Sequence, residues 1–166
     1  MKIAFLIISF LLDGIISVNL HQGTMFLPLF SLLSIVLIYP TFRTQQHNIY
    51  LLVAASVGFL YDIIYVHSLF LNTVIFIGLA LITMKIYSVL PVNILNTYVV
   101  SLAVIVLYRV IIFLFLALIQ AISFDVVGLL NSIISSLIIN FIYITVGYLL
   151  IKKINGKNNP TITKKR

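Results

Sequence analysis

Three ionisable side chains, Asp13, Asp62 and Arg109, stand inside long apolar runs of this 166-residue sequence. A charge held at mid-membrane depth costs about 2.5–3.5 kcal/mol on insertion scales, so each needs a compensating partner. Three kinds of chemistry suit such a set. The charges can pair, neutralise one another and fix helix register. They can form a path for protons or ions, or they can line a polar cavity that receives a ligand or partner. An Asp62–Arg109 or Asp13–Arg109 pair is compatible with the depth of each residue in its run. No catalytic constellation accompanies them. His21, His47 and His67 fall in different connections without neighbours at metal-ligand spacing, and Asp125 is isolated. There is no Gly-rich phosphate loop and no Ser–His–Asp set. With no Cys in the chain, disulfides, thiol catalysis and Cys-ligated metals are excluded. The expectation is a non-enzymatic protein without a cofactor or metal.

The elements that must position these residues are membrane helices. The chain is 63% hydrophobic and 8% charged, against roughly 25% charged in soluble domains, and it contains no Glu. Runs of about 20 apolar residues, each able to cross ~30 Å of hydrocarbon, predict an all-α, six-helix membrane bundle. The helices are expected near 2–20, 25–40, 48–66, 70–88, 95–120 and 127–151. Residues 1–151 then form the transmembrane domain and 152–166 a basic tail. Breaks are expected at His21–Thr24, Pro40–Asn48, His67-Ser68, Pro91–Asn93 and Gln120–Asp125, where freed backbone groups reach water. Asp13 interrupts the first apolar run and no small-residue cleavage site follows, so that run reads as an uncleaved helix.

Alternating sides from Lys2 puts every basic residue except Arg109 on one face of the membrane, a positive-inside pattern with both termini cytoplasmic. Tyr39, Tyr50, Tyr87, Tyr98 and Tyr148 fall near the same face, where an apolar ring with a wet hydroxyl is favoured. The basic tail is expected to touch anionic lipid, and nucleic acid is not an expected partner. In the third helix Ala54, Gly58 and Asp62 form a stripe of small residues ending in an acid, which lets a neighbouring backbone approach closely. In the fifth, Ser101, Tyr108 and Arg109 face roughly one way. In the sixth, Ser132, Ser136, Asn140 and Tyr143 share a face suited to interhelical hydrogen bonds.

The segment Val57-Gly58-Phe59-Leu60-Tyr61-Asp62-Ile63-Ile64, followed by Leu69-Phe70-Leu71-Asn72-Thr73, resembles the most recognisable stretch of the MreD family of bacterial rod-shape-determining membrane proteins. Leu60-Tyr61 stands where that family usually shows a second glycine. Chain size, short loops and a basic C-terminus agree with the family as well. The resemblance implies a non-enzymatic scaffold of the cell-elongation machinery in the bacterial cytoplasmic membrane. Its partners would be the single-span shape protein MreC, cell-wall synthases and, where present, the actin-like MreB. It also implies a bundle similar to the substrate-binding membrane subunits of vitamin transporters. A vitamin-type binding subunit is therefore the alternative function, against which the short outer connections argue.

Overall fold

The computed structural model describes residues 2–20, 28–42, 46–66 and 70–158. The expected connections at His21–Thr24 and His67-Ser68, as well as Arg43 and the tail from 159, lie outside those residues. Six α-helices follow one another: α1 Lys2–Leu20, α2 Phe30–Ile38, α3 His47–Tyr61, α4 Leu71–Val89, α5 Ile94–Leu118 and α6 Val126–Asn158. A short 3-10 turn, Tyr39–Thr41, extends α2, and a π-helical turn, Asp62–Val66, extends α3. Local chemistry explains several boundaries. Pro91 follows the end of α4, since it cannot continue a helix. Asn93 caps α5, its side chain accepting from the Asn96 N–H at 2.7 Å. Asp125 caps α6 in the same way, accepting from the Val127 and Gly128 N–H groups at 2.9 and 3.0 Å.

Among the described residues, four helical stretches are long and apolar enough to cross a membrane: 47–66, 71–89, 94–118 and 126–153. The remaining two apolar helices, Ile3–Ile16 and Phe30–Thr41, are shorter. At 1.5 Å per residue the second reaches about 18 Å, little more than half the hydrocarbon thickness. The expected second helix, 25–40, is thus shorter at its start, with Pro28 and Leu29 outside the helix. The expected end of the sixth at 151 is passed, since α6 continues into the basic segment as far as Asn158.

The helices form three consecutive hairpins, α1–α2, α3–α4 and α5–α6. α2 lies at the centre, touching all five other helices, and every residue from Phe30 to Ile38 is buried. A helix surrounded by protein is apolar all round instead of amphipathic, and FSLLSIVLI fits that description. The outer faces are equally apolar, with Ile3, Leu52, Val74, Val99, Leu118 and Ile138 all exposed. Such a surface suits lipid, which solvates Leu and Ile without the penalty water imposes.

At the end of the bundle where α3 begins, the tyrosines gather inward. Tyr39 stacks on Tyr87 at 5.6 Å between ring centroids and meets Tyr50 edge-on at 4.9 Å. Tyr50 is wholly buried. Tyr50 thus lies near the end of its helix, as expected, but its ring packs against Tyr39 and Phe42 within the bundle instead of facing outward.

Candidate functional site

Two clusters of buried polar groups form at the starts of α2 and α4. Asp13, in the middle of α1, accepts from the backbone N–H groups of Phe30 and Ser31, both at 2.7 Å, and from the Ser31 hydroxyl. Asn140 of α6 accepts from the Leu29 N–H at 3.0 Å and donates to the Ser136 carbonyl at 2.7 Å. Three consecutive N–H groups at the start of α2 are therefore satisfied by side chains from α1 and α6. This is necessary because neither water nor a preceding helical turn can serve them inside the bundle. Tyr143 completes the cluster: its hydroxyl bonds to Ser9 and Ser34, and its ring stacks on Phe30 at 4.4 Å.

Asp62 repeats the arrangement one hairpin later. Its Oδ1 accepts from the Asn72 N–H at 2.9 Å and the Asn72 side-chain amide at 3.0 Å. Its Oδ2 accepts from the Thr73 N–H and hydroxyl, both at 2.8 Å. The correspondence with Asp13 is close. In each case two successive N–H groups divide between the two carboxylate oxygens, and the hydroxyl of the second residue joins its own N–H. Hydrogen bonds to a charged acceptor contribute about 1.5–3 kcal/mol each. The helix start adds a favourable dipole worth up to about 2 kcal/mol in partly buried geometry. Gly58, one turn before Asp62, makes the approach possible. A Cβ there would lie 2.7 Å from the Thr73 Cα and 2.9 Å from the Asn72 carbonyl oxygen. The small stripe read in the sequence thus packs against the start of α4, with Ala54, Gly58 and Asp62 all buried.

Arg109 sits on α5, its Nε donating to the Ser136 hydroxyl at 2.9 Å and its guanidinium 5.9 Å from the neighbouring Tyr108 ring centroid. Tyr108 links α5 to the Asp62 cluster by donating to the Asn72 side-chain oxygen at 2.9 Å. Asp62 is thus held by the start of α4, and Arg109 bonds to Ser136 of α6. Among the sequence-derived candidates, Asp13 and Asn140 meet at one cluster and Gly58 and Asp62 at a second, while Arg109 lies between α5 and α6. Sequence reasoning missed Ser31, Asn72 and Thr73. The available signals were Pro28, which marks a helix start, and Asn72-Thr73 immediately after the third connection, residue types that favour helix starts.

Two cavities flank this interior. One, of about 380 Å³, is a largely apolar groove between α1 and α3, lined by Leu6, Phe10, Val53, Val57 and Leu60 among others. The other, of about 370 Å³, lies between α5 and α6 and reaches from Arg109 and Ser132 to Ser123 and Asp125. Among the described residues, no group of three or more His, Asp or Glu gathers to hold a metal. No family model matches the sequence, and it matches neither a curated protein nor a solved structure.

Proposed function

We propose that this protein is a non-catalytic scaffold in a bacterial cytoplasmic membrane, with six membrane-embedded helices and both termini in the cytoplasm, acting in cell elongation as the MreD-like segment implies. One observation carries the reading. The acids Asp13 and Asp62 and the amide of Asn140 hold the starts of α2 and α4, which supports a structural role for them. What the bundle offers a partner is apolar: the groove between α1 and α3, with Ser56 its single polar lining residue. Helices associate in lipid by packing side chains into such grooves. The partner of choice is a single-span protein of the MreC type, with wall synthases joining through it. α2 and α1 count among the six elements although both apolar stretches are short, because hairpins α1–α2, α3–α4 and α5–α6 keep the basic ends together.

The test is affinity purification of the tagged chain from mild detergent, followed by mass spectrometry of bound proteins and small molecules. A stoichiometric single-span wall protein, lost on Val57→Trp in the groove, is the expected result. Recovery of a stoichiometric vitamin and an ATPase module would instead establish the transporter alternative.

A further inference from the structure

We propose that the tip of the α5–α6 hairpin is a lipid-binding element, seated at the headgroup boundary so that hydrocarbon stands higher against α5 and α6 than against α3 and α4. Two hydrogen bonds fix the relative depths. The Tyr108 hydroxyl on α5 meets the side chain of Asn72, the second residue of α4, at 2.9 Å. Arg109 meets Ser136 on α6, also at 2.9 Å. Beyond that level α4 has only Leu71, whereas α5 runs on from Arg109 to Leu118 and α6 from Ser135 back to Val126. Each of those two stretches has ten residues, about 15 Å of helix. The 25 residues of α5 measure about 37 Å and the 19 of α4 about 28 Å, against hydrocarbon about 30 Å thick.

The projecting stretch has the chemistry of a lipid-facing one. From Val110 to Leu130 every residue is apolar or Gly except Gln120, Ser123 and Asp125. Leu114, Leu118, Phe124, Val127 and Leu130, spread over both helices and their connection, are each more than half exposed. A hairpin standing in water would carry charges among these residues, and this one has a single carboxylate. The connection also serves its own backbone, as a segment next to hydrocarbon must. Gln120 takes the left-handed conformation, with φ 58°, and closes α5. The Gln120 and Ala121 N–H groups then return to the Ala117 and Leu116 carbonyls at 3.1 and 2.9 Å. Across the turn the Asp125 carboxylate accepts from the Val127 and Gly128 N–H groups. Gln120, Ser123 and Asp125 gather at the crest, all exposed, and reach water there. A polar crest on an apolar stem suits the headgroup boundary, and a bilayer meets an overlong helix by tilt or local thickening.

The chain has no Trp, so one introduced Trp reports its own surroundings. Phe124→Trp at the tip, Ile138→Trp within α6 and Val74→Trp near the start of α4 replace exposed residues and are reconstituted separately. In dioleoyl phosphatidylcholine vesicles, chain-brominated lipid should quench Phe124→Trp at least half as strongly as Ile138→Trp, and aqueous iodide should quench it weakly. In short-chained dimyristoleoyl phosphatidylcholine the tip overreaches the hydrocarbon. Iodide quenching of Phe124→Trp should then rise severalfold, while that of Val74→Trp stays level. Leu118→Trp repeats the measurement should Phe124→Trp not fold. Strong iodide quenching in dioleoyl vesicles would place the tip in water, and weak quenching by both agents would place it against protein, a second copy included. Either result overturns the proposal, as does identical behaviour of Phe124→Trp and Val74→Trp in the two lipids.

Discussion

Replacing Asp13 tests whether a side chain on α1 secures the start of α2. Asp13→Ala leaves the N–H groups of Phe30 and Ser31 without their acceptor in a buried setting. Each buried donor left unsatisfied costs about 1–3 kcal/mol, so about 2–6 kcal/mol is expected in all. Asp13→Asn keeps one acceptor oxygen and should lose about half as much. Ser31→Ala removes the hydroxyl and leaves both N–H bonds, for about 1.5 kcal/mol, the low end for a bond to a charged acceptor. The absence of Cys permits a direct readout of α2. Val36, nearly inaccessible within α2, is replaced by Cys, and its labelling by a small thiol reagent is timed in detergent. When opening precedes labelling, each 1.4 kcal/mol lost accelerates the reaction about tenfold. The expected order is Asp13→Ala fastest, by about 30-fold to 10⁴-fold, then Asp13→Asn, then Ser31→Ala. Labelling of Asp13→Ala within threefold of the parent would refute the reasoning, as would a faster rate in Ser31→Ala.

Two other predictions concern packing and topology. Gly58→Ala should destabilise by about 1–3 kcal/mol, because its new methyl meets the backbone of α4, which cannot swing aside. Gly78→Ala, with nothing within 4 Å of the added carbon, should be neutral or slightly stabilising, and thermal unfolding of the pair in detergent measures both. In intact cells Ser123→Cys should react with a membrane-impermeant thiol reagent, whereas Asn93→Cys and Asn158→Cys should not. Labelling of Asn158→Cys from outside would require an odd number of crossings.

The positions of α1, α3, α4 and α5 could be read closely from the sequence, because each run ends at a polar or Pro-containing break such as Pro91–Asn93. α2 could not be placed as well. From Leu27 to Ile38 the run is apolar but for Ser31 and Ser34, so hydropathy gives no sign of where its N–H groups find acceptors. Asp62 was identified as buried and close to a small-residue stripe, and its burial holds. Its partners were sought among charged side chains at equal depth, yet the bonds it makes to α4 include the N–H groups of Asn72 and Thr73. Every residue but proline carries such a donor, so residue types alone do not reveal it. The stripe on α6 fared better. Ser136, Asn140 and Tyr143 all reach neighbouring helices, because amides and hydroxyls in lipid have few other places to bond.

The start of α2 also carries a consequence for synthesis. Its acceptors come from both ends of the chain: Asp13 precedes it, but Asn140 follows Leu29 by 111 residues. At roughly 5–20 residues per second, the ribosome needs about 5–20 s after making Leu29 to deliver Asn140. During that interval the Leu29 N–H lacks its native partner, and α2, too short to span hydrocarbon comfortably, has no finished bundle to enter. The second helix must therefore wait beside the insertion machinery, or rest half-inserted, until the last helix arrives. The hairpin that emerges first is thus among the last parts to settle, and a chain halted before α6 would leave the membrane holding an unfinished core.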